Sequence, residues 1–111
     1  MAADAPLLPH QLSRVAKRPS LALGRLGAIS NDGSGDIFVA FSTANSVNES
    51  TFATAEVFPN YRLSLVFRAA VDATEEAIVN AMVAADTTLG ADGLRVARIP
   101  HDALREIFRS K

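Results

Sequence analysis

This sequence contains no cysteine and only two histidines, which excludes several kinds of catalytic and metal-binding site. Without cysteine there is no disulfide, no thiol nucleophile and no thiolate ligand, and the redox compartment stays open. His10 and His101 each stand beside a proline, with no partner at the spacing of metal ligands. A zinc centre is therefore not expected, and neither is any other metal or cofactor.

An excess of one charge and a long apolar run are also missing. The chain has 11 basic and 12 acidic residues and a formal net charge of -1. This balance argues against a nucleic acid or an anionic membrane as partner. No apolar run approaches the roughly 18 residues of a membrane span, and no signal-peptide pattern opens the sequence.

What is present is enough for one folded domain over residues 1–111. Hydrophobic residues make up 49% of the chain, and a chain of this size buries roughly two thirds of its unfolded surface. Helical and strand patterns are mixed along the sequence, without an internal repeat or a linker. The expected class is α+β.

The segment from Gly33 to Asn45 organises the rest. A polar turn leads into the uncharged, β-branched and aromatic run from Ile37 to Phe41, which predicts a strand buried on both faces. Ser34 and Asp36 stand at its mouth, two residues apart, so alternation points both to the same side. This is either a reaction centre or an ordinary turn before a strand. The flanking glycines would allow close approach of another group or a positive φ.

Other elements follow from periodicity and from prolines. The first three residues resemble the end of a strand, and Pro9 begins a helix that Pro19 should kink or stop. A further helical turn should end by Gly27. Residues 52–58 could form a short strand or belong to a loop. Residues 62–86 contain no glycine or proline and predict a long amphipathic helix.

The C-terminal part predicts a turn, a short strand and a last helix. Gly90 and Gly93 bracket the turn, residues 94–99 alternate imperfectly as an edge strand does, and Pro100 begins the helix. Its predicted buried face consists of four apolar residues, Ala103, Leu104, Ile107 and Phe108.

Five segments carry a more specific signal, and they occur in this order: Asp4 to Leu12, Gly33 to Asn45, Ala73 to Ala81, Gly90 to Gly93, and Pro100 to Glu106. Together they resemble the self-processing serine aminopeptidases, which include the L-aminopeptidase/D-amidase-esterases and the β-peptidyl aminopeptidases. The resemblance covers essentially the whole chain.

The resemblance implies a precursor that cleaves itself into an α and a β chain, with the new N-terminal serine of the β chain as nucleophile. It implies an αββα sandwich similar to the N-terminal-nucleophile hydrolases. This sequence looks like most of the β chain. The nucleophile would then lie outside it, because Ser13, its first serine, falls within a helix. The resemblance also places the oxyanion-hole side chains outside it, in the α part.

Two site residues are carried over by the resemblance. Ser34 matches the second active-site serine of the family and Asp36 the neighbouring acid, which together would relay a proton beside the nucleophile. The implied partners are the α-chain segment of the same precursor, further copies in a homo-oligomer of αβ units, and a small peptide, amide or ester substrate. The implied location is cytoplasmic, with the periplasm left open.

Three functions compete. The first is the β-chain region of an aminopeptidase that uses serine acyl-enzyme chemistry and is inactive as an isolated chain. The second is a non-catalytic fragment or an assembly module. The third, an acetyl-transferring relative with a threonine nucleophile, fits the motifs less well. The coding sequence upstream of Met1 distinguishes the first two.

Overall fold

The computed structural model describes residues 1–45 and 54–109. These residues belong to two compact units, Met1–Glu75 and Glu76–Lys111. The short strand left open at residues 52–58 falls partly outside the described residues, and residues 54–58 form no regular element. Among the described residues, no helix is long and apolar enough to cross a membrane.

The first unit begins with a parallel strand pair. Strand β1 (Ala2–Ala3) pairs with β2 (Phe41–Ser42), with Ala2 opposite Phe41 and Ala3 opposite Ser42. The predicted N-terminal strand end is thus confirmed. Parallel neighbours need a crossover connection, and here it contains helices α1 (Pro9–Ala16) and α2 (Pro19–Arg25).

Proline and glycine set the limits of these two helices. Pro9 and Pro19 each occupy a first helical position, where the missing N–H is not needed. Gly27 has a φ of 95°, and the N–H groups of Gly27 and Ala28 bond back to the carbonyls of Gly24 and Leu23. This is a Schellman ending, so the predicted end at Gly27 is confirmed.

The predicted long helix is confirmed as α3 (Leu63–Ala84), which follows a short 3-10 turn at Asn60–Arg62. Its first half supplies Leu63 and Ala70 to the core of the first unit, where they cluster with Leu7 and Val15. The core therefore joins α1 and the residues before it to the first turns of α3.

Gln11 is the buried polar side chain within this core, with 1% of its surface exposed. Its Nε2 donates to the Phe58 carbonyl and to Asn60 Oδ1, each at 2.8 Å. Its Oε1 accepts the N–H of Leu8 at 3.0 Å, at the start of α1. One amide thus joins α1 to the segment that enters α3. Its NH₂ group and its oxygen all have hydrogen-bond partners.

Replacing Gln11 by the similarly shaped Met should therefore destabilise the chain. The N–H of Leu8 and the carbonyl of Phe58, both in half-buried residues, lose these bonds, at about 1–3 kcal/mol for each group left unsatisfied, whereas the exposed Asn60 can bond to water. We expect the free energy of unfolding in urea to fall by about 2 kcal/mol or more. Ser20→Ala, which removes an exposed hydroxyl bonded to the Lys17 carbonyl, should change it far less. Equal losses in the two variants would contradict the role of Gln11.

Charged side chains link α2 to the first half of α3. Arg25 Nη1 contacts Asp72 at 3.0 Å and Glu75 at 2.9 Å, and these bonds, that to Glu75 first, raise the pKa of Arg25. Arg68 Nε contacts Asp72, one helical turn further along α3, at 2.8 Å. The hydrogen bond from Arg68, and then that from Arg25, lower the pKa of Asp72.

Acid should weaken this cluster. A carboxylate whose pKa is lower in the folded than in the unfolded state stabilises the fold fully above its unfolded pKa, and that contribution is lost as pH falls through the folded value. The melting temperature should thus fall more steeply in acid, below about pH 4, for the parent sequence than for Asp72→Asn. Asp32→Asn, at an exposed carboxylate outside the ion pairs of the described residues, should keep the parent slope. Identical slopes in all three proteins would exclude this contribution.

The predicted strand at residues 37–41 is wrong in two respects. Only Phe41 belongs to a strand, and the run is not buried on both faces. Ile37, Val39 and Phe41 are 87%, 67% and 52% exposed, while Phe38 and Ala40 are half-buried. Ala40 packs against the core. The reason is alternation: one side of the extended chain lies on the core, and nothing in the described residues covers the other.

The second unit contains the end of α3, strands β3 (Thr88–Leu89) and β4 (Arg95–Val96) in antiparallel pairing, and helix α4 (His101–Arg109). A 3-10 turn at Ala91–Gly93 joins the strands, as the glycine spacing predicted. His101 Nε2 lies 2.8 Å from the Val83 carbonyl. The edge strand and the last helix are confirmed.

The predicted buried face of α4 is wrong. No described residue of this unit is buried, and Phe108 is 74% exposed. Helix α4 is amphipathic, but no element of the unit lies against its apolar side closely enough to exclude water. An open apolar depression of about 590 Å³ remains between Val83 and α4.

Candidate functional site

Ser34 and Asp36 meet as alternation predicted. Ser34 Oγ donates a hydrogen bond of 2.9 Å to Asp36 Oδ2. Both side chains are exposed. The pair lies in the segment that leads into β2. Because β1 and β2 are parallel, the chain upstream of β1 comes from the same end.

A tight turn presents this pair. The Ser34 N–H bonds to the Asn31 carbonyl at 2.7 Å, and Ser30 is held at a φ of 51°. An open depression of about 490 Å³ beside it is lined by Ser34 and six residues between Gly27 and Gly33. Space for a ligand or for another chain segment therefore adjoins the serine hydroxyl.

The expected role of the two flanking glycines is not seen. Neither Gly33 nor Gly35 has a positive φ, and a Cβ atom built on either meets nothing within 4 Å. In the described residues neither glycine is needed for a turn or for a close contact. The space beside both glycines is empty within the described residues.

The pair has the chemistry of a relay rather than of a nucleophile with its base. Because the Ser34 hydroxyl donates its hydrogen bond to the Asp36 carboxylate, its lone pairs remain free to accept a hydrogen bond from a third group. No histidine or lysine of the described residues bonds to Ser34, so the usual activating base is absent from this arrangement. No group of three potential metal ligands occurs among the described residues.

Sequence reasoning missed the hydroxyl contacts between the strands. Ser42 Oγ donates to the Ala5 carbonyl at 2.7 Å, and Thr43 Oγ1 donates to the Ala3 carbonyl at 3.3 Å. It also missed Asn45, whose amide bonds to both backbone groups of Glu56, at 3.0 and 3.1 Å. Polar residues directly after the strand were the available signal, but their acceptors lie far away in sequence.

A scan against protein-family models places the chain. The model of peptidase family S58 matches residues 1–96. The chain belongs to peptidase family S58, a family of serine aminopeptidases, and the resemblance found in the sequence is confirmed.

Individual relatives agree with this placement. The chain is 53% identical to a β-peptidyl aminopeptidase of Sphingosinicella microcystinivorans over 98% of its length. It is 45% identical, with a TM-score of 0.88 over 97% of its length, to the L-aminopeptidase D-Ala-esterase/amidase of Ochrobactrum anthropi, described as a variant of the Ntn hydrolase fold. A Burkholderia β-aminopeptidase is 39% identical with a TM-score of 0.84, again over 97% of the chain. The α+β class and the likeness to Ntn hydrolases are thus confirmed.

The relatives are much longer than this chain. It spans 28% of the Sphingosinicella enzyme, 32% of the Ochrobactrum chain and 33% of the Burkholderia chain. The chain is therefore similar to about one third of each of these proteins.

Proposed function

We propose that this chain is the β-chain region of a self-processing serine aminopeptidase, which hydrolyses N-terminal residues from peptides, amides or esters. The observation that carries the proposal is the Ser34–Asp36 hydrogen bond at the mouth of the β2 segment. Catalysis needs the full-length protein, meaning this chain together with the part that its relatives have beyond it. The chain alone is proposed to be inactive.

The strand register supports a position for the nucleophile. Paired residue numbers differ by 39, and the Met1 amine bonds to the Val39 carbonyl at 2.6 Å, so the ladder continues toward the site. If that register is extended upstream, the residue four places before Met1 lies opposite Asp36 and the residue six places before it lies opposite Ser34. A serine within this span would stand beside the relay pair.

The proposed reaction involves the nucleophilic serine, Ser34 and Asp36, each in a separate role. The nucleophilic serine adds its oxygen to the acyl carbonyl of the substrate while its proton leaves through the Ser34 hydroxyl toward the departing amine. The C–N bond then breaks and an acyl-enzyme remains, which water hydrolyses while a proton returns to the serine. Asp36 orients the Ser34 hydroxyl and stabilises the neighbouring N-terminal ammonium of the nucleophile.

The proposed protein partner is the α-chain segment of the same precursor. It would cover the exposed stripe, defined as Ile37, Val39 and Phe41, which is large and apolar and has no cover among the described residues. Further copies would then associate as αβ units in a homo-oligomer.

Ser34→Ala and Asp36→Asn in the full-length protein test the relay. Acid–base participation is commonly worth about 10²–10⁴-fold, so turnover of aminoacyl p-nitroanilides should fall within that range. Asp36→Asn should also shift the pH profile, because it removes a charge beside the reacting amine. Melting temperature and turnover per folded molecule are measured on the same preparations.

Ser20→Ala serves as the matched serine control and should leave turnover unchanged, because that hydroxyl bonds to the Lys17 carbonyl between α1 and α2. If the pair merely shapes the turn, both site variants would lower the melting temperature and keep their turnover. Full turnover in Ser34→Ala defeats the proposal.

The isolated chain should associate through the exposed stripe. An uncovered apolar strand side drives aggregation, so light scattering at micromolar concentration should show species larger than a monomer. The double variant Ile37→Thr, Val39→Thr should reduce this association, while Leu21→Thr, at a 54% exposed apolar residue outside the stripe, should not. Light scattering that stays at the mass of a monomer for the unmodified chain would refute the prediction.

A further inference from the structure

The register of β1 on β2 is defined by few backbone contacts. Within the described residues the ladder covers two residue pairs, Ala2 with Phe41 and Ala3 with Ser42, and backbone bonds of Met1 with Val39 and Phe41 extend it by one residue. Strand β1 consists of alanines, and small side chains give little preference for one register over another. Something besides side-chain packing has to specify how far along β2 this strand lies.

Two hydroxyls supply that specification. Ser42 Oγ donates to the Ala5 carbonyl at 2.7 Å and accepts the N–H of Ala44 at 3.2 Å, so its orientation is fixed from both sides. Thr43 Oγ1 donates at 3.3 Å to the Ala3 carbonyl, which also accepts the Thr43 N–H at 2.9 Å. Both side chains reach from the β2 segment to the chain of β1. A slip of β1 by one residue would move the Ala5 and Ala3 carbonyls about 3.3 Å along the β2 segment and so away from these hydroxyls.

At this place the register bears on the reaction. A slip of one residue moves the upstream chain by about 3.3 Å along its neighbour. Reacting groups have to lie within about 3–3.5 Å of each other, so that slip takes the upstream nucleophile out of reach of Ser34. The stability of the fold would change little, because β1 contributes mainly small side chains to it.

We infer that Ser42 and Thr43 are positioning residues, whose hydroxyls fix the register of β1 on β2 and thereby the distance between the nucleophile and the Ser34–Asp36 pair. The inference rests on the proposed function. Their proposed role is not contact with substrate, because each hydroxyl donates to a backbone carbonyl of β1 or of the residues that directly follow it.

The test uses Ser42→Ala and Thr43→Val in the full-length protein. A misplacement of about 1 Å costs about 10²-fold in rate, so kcat should fall by about 10- to 100-fold with little change in KM. Ser42→Thr and Thr43→Ser keep a hydroxyl at each position and should restore most of the activity. All rates are taken per folded molecule.

Thr74→Val is the matched control. Its hydroxyl donates to the Ala70 carbonyl at 2.7 Å within α3, the same length of bond as that of Ser42, but away from the strands. It should lower the melting temperature by an amount similar to Ser42→Ala and leave kcat unchanged. This separates the loss of a hydroxyl bond from the loss of register.

The double variant Ser34→Ala, Ser42→Ala identifies the path of the effect. If Ser42 acts by placing the nucleophile against Ser34, its removal should cost little once Ser34 is already gone, so the two losses are not multiplied. Thr74→Val should change kcat in neither background.

The outcomes distinguish the two proposals. If Ser42→Ala and Thr43→Val keep the parent kcat while Ser34→Ala loses its activity, the register inference is overturned and the proposed function stands. Multiplied losses in the double variant also overturn it. Full turnover in Ser34→Ala overturns the relay and, with it, this inference.

Discussion

The amide of Gln11 links helix α1 to the segment that enters α3, and it does so from within the core of the first unit. It lies within the core and bonds to the start of α1 on one side and to Phe58 and Asn60 on the other. Because a buried amide tolerates no missing partner, these bonds fix where α3 begins relative to the crossover helices. The core residues Val15 and Leu63 pack around an arrangement that this side chain sets.

Local rules were enough to predict most of the elements. Pro9, Pro19 and Gly27 limit their helices through backbone properties that need no knowledge of neighbours. The Ser34–Asp36 contact also follows from alternation over two residues. In each of these predictions, the residues that determine the local structure lie within a few positions of it in the sequence.

The failures depend on distant residues. Ser42 bonds to a carbonyl 37 positions away and Gln11 to one 47 positions away, so neither contact has a signature in its own neighbourhood. The apolar composition of residues 37–41 fits burial on one side as well as on two, and only the surrounding chain decides between them. Helix α4 is misjudged for the same reason, because amphipathicity states which side seeks cover without showing that cover is present.

The exposed side chains of Ile37, Val39 and Phe41 affect the solubility of the chain and its assembly in opposite ways. In the isolated chain these side chains face water, so polar replacements there would make the fragment easier to handle. In the proposed full-length protein the same side chains lie under the α-chain segment, where a polar group without a partner is costly. A fragment improved for solution work along this stripe would therefore be one that has lost its ability to rejoin the enzyme.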